Sequence, residues 1–579
     1  MISRRRLLAT TGAMIASAAV VSACGGSGSS SPGTSGSAGA SPAAGTSTGA
    51  APSAGDMNAS GVLNLEQQIA FEHLDPQRVY VNNSTSIARL MYRPLMGWKE
   101  NPADGTYELV PDLAAAAPTS PDGGKTWTFK IKTGLKFSDG SVIKAADIKY
   151  GVERSMDPAI PNGPVYAKLY LIGADKYTGP AKGAALASVE VPDDATITFK
   201  LKQVVGSWPQ LATLLTFVPV PRAKDTGAAY DNMPVTNSSY KIQSYNTKSK
   251  LVLVKDPNWV KATDPLRSQN VTSIVCTMGL DESRVDNDLF SDTNGGTNVM
   301  FSDDPSAADI AKVTTPDVKS RTLFGSTIFV YYLAVQQNQA ALKNEKVRQA
   351  ILYARNPKAS IQVAGGPLLL SKVQSFAPKA LKGFEDVKDS FPDLGDEGNP
   401  DKAKQLLSEA GVSNLKITYA HSNSAKATAG AQALVSAMAR AGITLIPQPI
   451  AADAFYTTVS TLKNKYDLVA GGWGYDIPDG STIFPPIFQG GANLYDGTSN
   501  LAQLDDPAVN KLIESGLNAP TADAALPFWQ QVNLQIVSRA LVIPTYQIKV
   551  AQVLGSKVKG AYVSPVLGTM DVTNAYIST

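Results

Sequence analysis

Two histidines, two cysteines and a few adjacent carboxylates are the first candidates that a chain of 579 residues offers for acid–base, nucleophilic or metal chemistry. His73 and His421 stand far apart and lack the spacing of a metal motif. The chain contains no H-E-x-x-H, G-x-S-x-G or G-x-x-x-x-G-K-[ST] segment. His73 lies in the turn-like stretch Glu72-His73-Leu74-Asp75-Pro76, where a structural role is expected. Acidic neighbours occur at Asp193-Asp194, Asp303-Asp304 and Asp505-Asp506. Adjacent residues in a turn point apart, so these read as solvated corners rather than acid–base pairs. The run from Asp286-Asn287-Asp288 to Asn294-Gly295-Gly296 has the composition of a calcium loop, but its register fails and no Glu closes it. The expectation is a binding protein, not an enzyme, without cofactor or metal site. A carboxylate pair assembled only by folding would instead make it a secreted hydrolase such as a glycosidase.

Helix and strand signals alternate through the body, which predicts an α/β protein. Asn399-Pro400-Asp401 supplies a cap, a proline at the first turn and an acid near the N-terminus. Ala403, Leu406, Leu407 and Ala410 then form one apolar face, and Gly411 ends the helix. A second helix runs through Val347, Ala350, Ile351 and Ala354. Strands are predicted where Trp127, Phe129 and Ile131 alternate with Thr and Lys, and where Ile197, Phe199 and Leu201 do the same. The roughly 520 residues of the body exceed one core, so two or three domains are expected.

The chain opens as an export address. Ser3-Arg4-Arg5-Arg6-Leu7-Leu8 is a basic start with the adjacent arginines of a twin-arginine leader, followed by an apolar run to Ala23. Val21-Ser22-Ala23-Cys24 resembles the lipobox of bacterial lipoproteins, in which the cysteine is lipidated and becomes the mature N-terminus. From Gly25 to Gly55 every residue is Gly, Ser, Ala, Pro or Thr, so residues 25–60 read as a disordered tether with a reach of roughly 30 Å. The expected location is the outer face of the cell membrane, lipid-anchored. The net charge of +3 disappears once Arg4, Arg5 and Arg6 are removed, and no basic cluster in the body marks a nucleic-acid partner. With Cys24 lipidated, Cys276 is alone and reads as a small buried apolar residue.

A set of short segments in order carries a resemblance. It begins at Leu74-Asp75-Pro76 and continues through Leu90-Met91-Tyr92-Arg93-Pro94-Leu95 and Val110-Pro111-Asp112-Leu113. Asp122-Gly123-Gly124-Lys125-Thr126-Trp127 and Gly134-Leu135-Lys136-Phe137-Ser138-Asp139-Gly140 follow. It resumes at Lys346-Val347-Arg348-Gln349-Ala350-Ile351 and Gly471-Gly472-Trp473-Gly474-Tyr475-Asp476, and ends at Val542-Ile543-Pro544-Thr545-Tyr546. Together these resemble the family 5 extracellular solute-binding proteins of ABC importers, the dipeptide- and oligopeptide-binding group.

The resemblance implies a two-lobed periplasmic-binding-protein clamshell of the class C type, with an extra inserted domain. The first lobe would be built from 61–88, 219–324 and 541–579, the inserted domain from 89–218 and the other lobe from 325–540, after a leader at 1–24. It implies a monomer that traps a peptide between closing lobes and delivers it to membrane permease subunits. Another small solute, an oligosaccharide or a metal chelate, is the alternative within the family. Asp476 would take the ligand's α-ammonium in a charge-assisted hydrogen bond. Trp473 would cover a side chain, and Gly472 and Gly474 would leave backbone open for an added strand. Tyr80 and Asn82 would occupy the facing edge. Two departures stand out: Pro234-Val235-Thr236-Asn237-Ser238-Ser239-Tyr240 replaces a glycine-rich turn, and Ala470 stands where some members carry an arginine for a ligand carboxylate.

Overall fold

The two alternating segments become adjacent strands, Thr126–Lys130 and Thr196–Lys200, paired antiparallel with Thr126 opposite Lys200 and Phe129 opposite Ile197. Their apolar residues fall on one face, where Phe199 meets Phe129, Trp208 and Phe217 at centroid separations of 5.8, 5.5 and 5.5 Å. Period-two alternation is what a half-buried strand requires. The computed structural model describes residues 61–181, 185–337, 340–384 and 390–579. The leader, the lipidation site expected at Cys24 and the tether lie outside the described residues.

The fold is a two-lobed α/β clamshell with an inserted layer. In the first lobe, Val62–Glu66 lies parallel to both Asn298–Met300 and Ser273–Thr277, and Lys250–Lys255 and Tyr240–Asn246 extend the sheet antiparallel. Leu63, Leu65, Leu251, Leu253 and Cys276 fill its core. Burial pushes the Cys276 thiol well above its ordinary value, in keeping with a packing role. The second lobe is a six-stranded sheet in the order Leu370–Lys372, Val542–Val553, Thr322–Val335, Leu468–Gly474, Lys416–Ser422, Thr444–Ile450. Both its faces are covered, one by the helices Glu345–Ala354, Pro400–Glu409 and Ala425–Arg440, the other by Ala522–Ser538 and its neighbours. The predicted caps hold: Asn399 accepts from the Lys402 N–H at 2.9 Å, and Gly411 takes φ +68° beyond the helix end.

Two long strands, Thr322–Val335 and Val542–Val553, join the lobes. Leu323 and Leu554 at one end pack in the first lobe's core, while Ala334 and Val542 at the other lie in the second. The chain therefore runs through the second sheet from residue 542 to 553 before it returns to the first lobe. Pairing between the two strands slips between Ser326 and Val330, and the Gln547 side chain bridges the slip by donating from Nε2 to the Thr327 carbonyl at 2.5 Å.

The inserted layer is fastened to the first lobe by three buried clusters of charge. Arg93 Nε donates to Asp112 at 2.7 Å, Arg267 Nη1 reaches the same carboxylate at 2.8 Å, and Asp264 contacts both guanidiniums. Arg154 joins Asp75 and Asp225, each at 2.8 Å. Arg89 joins Glu100 at 2.6 Å and Asp571 at 3.0 Å. The segment without the glycine-rich turn is held by Asn237, whose amide accepts from the Arg93 N–H and donates to the Arg93 carbonyl, both at 3.0 Å. Among the described residues no helix is long and apolar enough to cross a membrane.

Candidate functional site

The strand Leu468–Gly474 ends against the meeting point of both lobes and the inserted layer. It pairs antiparallel with Thr322–Val335, placing Gly472 opposite Tyr331 and Gly474 opposite Phe329. Its parallel ladder with Lys416–Ser422 covers only Leu468 and Val469. A Cβ on Gly471 would sit 2.4 Å from the Tyr332 ring, and on Gly472 3.2 Å from the Tyr331 ring. The glycine run thus lets aromatic rings of the neighbouring strand lie flat on this one. The face that was expected to be open at Gly472 and Gly474 is covered by Tyr331 and by Phe329 and Ile328.

Beyond the strand, the chain folds into a loop closed on Thr482. The Thr482 hydroxyl accepts from the Asp476 N–H at 3.2 Å and lies 3.1 Å from the Ile477 carbonyl, to which it can donate. The Thr482 carbonyl accepts the Trp473 indole N–H at 3.0 Å, and Asp479 accepts from the Ser481 N–H at 2.8 Å. Burial raises the Asp479 carboxyl above its ordinary range. These bonds fix where Asp476 points. Its Oδ2 accepts from the Tyr80 hydroxyl of the first lobe at 2.8 Å and from the Tyr166 hydroxyl of the inserted layer. One carboxylate oxygen therefore joins three bodies. Further contacts cross the same seam: Ser207 to Ser481 at 3.2 Å, the Lys382 N–H to the Tyr107 hydroxyl at 3.0 Å, and the Tyr475 hydroxyl to the Pro565 carbonyl at 2.6 Å.

Asp476, Tyr80 and Asn82 line one cavity of about 120 Å³ at this junction. Asn82 is the first residue of the helix Asn82–Met91, which also carries Arg89 to the cavity wall. Trp473, Gly472 and Gly474 do not line it; Trp473 packs on the edge of the second lobe's core. Tyr166, Thr482, Trp98 and Ile328 are site residues that sequence reading missed. Tyr166 occurs in Pro164-Val165-Tyr166-Ala167, which carries no local signal, and reaches Asp476 across 310 residues of chain.

Neither histidine lies at the cavity. His73 bonds Asp231 at 2.5 Å and Asn162 at 2.9 Å, and His421 bonds the Ser422 carbonyl at 2.8 Å. Asp303 and Asp304 are not the solvated corners expected. They accept from the N–H groups of Gln68 and Ala551 at 2.8 and 2.7 Å, and burial pushes both carboxyls up to about 6. In the calcium-like run, Asp286 and Asp292 are used by the N–H groups of Ser306 and Ser556. Among the described residues no group of three or more His, Cys, Asp or Glu is placed to hold a metal ion.

The sequence model of bacterial extracellular solute-binding proteins, family 5 Middle, matches residues 108–495. Heme-binding protein A of Haemophilus influenzae is 25% identical over 505 residues, covering 82% of this chain and 85% of that protein. The periplasmic oligopeptide-binding protein OppA of Salmonella typhimurium is 21% identical, covering 87% of this chain and 90% of that one. Among solved structures, the clavulanic acid biosynthesis oligopeptide binding protein 2 superposes with a TM-score of 0.83 at 27% identity, covering 90% of this chain and 97% of that one.

Proposed function

The chain belongs to the bacterial extracellular solute-binding proteins of family 5, and we propose that it captures peptides by their free amino terminus for an ABC importer. The observation that carries this reading is the Asp476 carboxylate, held at the wall of a cavity where both lobes and the inserted layer meet. A carboxylate in that position suits an ammonium, and the short parallel ladder beside Ala470 suits an extended peptide backbone. Relatives named for oligopeptides support the peptide class. One relative is named for haem, but both histidines here are bonded within the protein and lie away from the cavity. Calorimetry with Leu-Ala-Ala and its N-acetyl form tests the proposal. The free amine is expected to bind and the acetylated peptide to lose roughly a hundredfold or more, as a buried charge pair is broken. Equal binding of the two sinks the amine assignment.

The same reading includes a monomer anchored through a lipid on Cys24 at the outer face of the membrane, exported by the twin-arginine route and delivering cargo to permease subunits. The proposed division is 61–88, 219–324 and 541–579 for the first lobe, 89–218 for the inserted domain and 325–540 for the second lobe, with the strand Val542–Val553 of the last segment crossing the second lobe's sheet before the chain returns. Cys24→Ser is expected to release the protein into the medium. Retention of that variant in washed membranes argues against the anchor.

A further inference from the structure

The cavity beside Asp476 has a mixed lining. Tyr80, Asn82, Thr85 and Asp476 supply polar groups, while Trp98, Leu214, Leu266, Ile328, Val566 and Leu567 supply an apolar wall. The two guanidiniums that reach it add no unpaired charge. Arg89 is engaged by Glu100 and Asp571, and Arg267 by Asp112 and Asp264, all four carboxylates being fully buried. We propose that the space along the apolar wall is a size-limited chamber for the side chain of the ligand's first residue, selecting aliphatic groups up to leucine and rejecting indole. This rests on the reading of Asp476 as the ammonium anchor.

The volume sets the limit. The whole cavity, polar groups included, is about 120 Å³, already slightly smaller than an engineered aliphatic cavity of roughly 150 Å³ that accepts benzene, so this volume is an upper bound on the chamber. A leucine side chain fits such a space and an indole does not. The walls resist expansion because three bodies supply them and hydrogen bonds hold them. Leu266, Val566 and Leu567 come from the first lobe, Trp98 and Leu214 from the inserted layer, and Ile328 from the linking strand Thr322–Val335. The loop that carries Val566 and Leu567 is tied at three points. The Ser564 hydroxyl donates to Glu100 Oε2 at 2.5 Å, the Leu567 N–H donates to Ser564 Oγ at 2.9 Å, and the Tyr475 hydroxyl donates to the Pro565 carbonyl at 2.6 Å. The last bond runs from the second lobe, so closure itself finishes the chamber. A side chain too large for the space breaks that bond or holds the lobes apart.

Gly97 sets the depth. It lines the cavity, and a Cβ there would stand 2.4 Å from Leu266 Cδ1. The clash is with the end of a flexible side chain, so alanine at 97 moves Leu266 rather than the backbone.

The test is calorimetry of the full chain with X-Ala-Ala peptides, X being Gly, Ala, Val, Leu, Phe or Trp, together with N-acetyl-Leu-Ala-Ala. Affinity is expected to rise about fourfold per added methylene toward leucine and to fall roughly tenfold or more from leucine to tryptophan, through overpacking. Leu266→Ala moves the optimum to phenylalanine, and Gly97→Ala moves it toward alanine or valine. Two variants with opposite shifts keep the result readable if one of them folds poorly. A flat series with acetylation still abolishing binding overturns the chamber and leaves the amine reading intact. The expected order with acetylation harmless supports the chamber and overturns the amine reading. Binding of none of the peptides overturns both.

Discussion

Asp476→Asn is expected to bind free-amine peptides roughly 30-fold to several thousandfold more weakly while melting close to the parent protein. Truncating one partner of a buried, hydrogen-bonded charge pair costs about 2–5 kcal/mol of binding. The amide removes the charge that an ammonium needs. It keeps an oxygen in the place of Oδ2, where the Tyr80 and Tyr166 hydroxyls donate. Those two bonds hold the second lobe to the first lobe and to the inserted layer, so Asn separates ligand recognition from closure. Asp476→Ala removes both, and its affinity is expected to fall further because the closed arrangement loses two neutral donors' worth of support, about 0.5–1.5 kcal/mol each. Calorimetry with Leu-Ala-Ala, beside thermal unfolding of the same samples, reads the two effects apart. An Asn variant binding within about threefold of the parent would mean that the carboxylate serves only the tyrosines.

How much of this site was visible in the sequence depends on how local each signal is. The helix Pro400–Glu409 was legible because its cap, its proline and its apolar stripe lie within a dozen consecutive positions. The strands Thr126–Lys130 and Thr196–Lys200 were legible for the same reason. Asp476 and Tyr80 were found through ordered family segments, yet their contact spans 396 residues and no spacing rule could state it. Tyr166 and Thr482 escaped because a tyrosine opening a five-residue helix and a threonine in a single helical turn have no period and no motif; only the folded neighbourhood gives each a task. Gly472 and Gly474 show how the meaning of a glycine depends on what approaches it. Glycine marks close approach, but what approaches their Cα atoms is the aromatic rows of the neighbouring strand. Asp303-Asp304 misled because adjacency alone predicts exposure, whereas both carboxylates accept backbone N–H groups beside the linking strands.

The inserted layer and the first lobe share three buried charge clusters, while the second lobe is joined to them by two strands, by single hydrogen bonds and by the Ile477 side chain, which packs in the inserted layer's core without any buried ion pair. That asymmetry predicts which body moves. A buried ion cluster is costly to part-dissolve, because each separated group leaves an unpaired charge in the interior. Lone hydroxyl bonds of the kind at Ser207–Ser481 part at little cost in water. The first lobe and inserted layer should therefore travel as one rigid unit, with the second lobe closing onto it about the slip at Ser326–Val330 and Gln547.

Asp112 is the test of that unit. It is fully buried, at the end of the strand Thr106–Pro111, and faces Arg93 and Arg267 together. Lys132 Nζ lies beside them, bonded to the Asp112 carbonyl at 2.6 Å. Asp112→Ala leaves three cations facing Asp264 alone, and breaking a buried pair in this way costs about 3–5 kcal/mol. The melting of the first lobe is expected to fall by roughly 6–20 °C. Asp112→Asn keeps an acceptor for Arg93 Nε and should lose less, which divides charge from hydrogen bonding. Acid should reproduce part of the effect. Burial alone would raise the Asp264 carboxyl, but Arg267 and Arg93 outweigh it and hold the group at about 2. A depressed carboxyl contributes stability above its unfolded value near 4, on the order of 2 kcal/mol, and loses it as pH falls toward 2. The parent protein's first transition should therefore drop between about pH 4 and pH 2. The Asp112→Ala variant, with Asp264 then facing all three cations, should start to decline at the same pH near 4 but go on losing stability to more acid pH than the parent. Loss that ends at the same acid pH in both proteins would show that Asp264 is not what the guanidiniums hold.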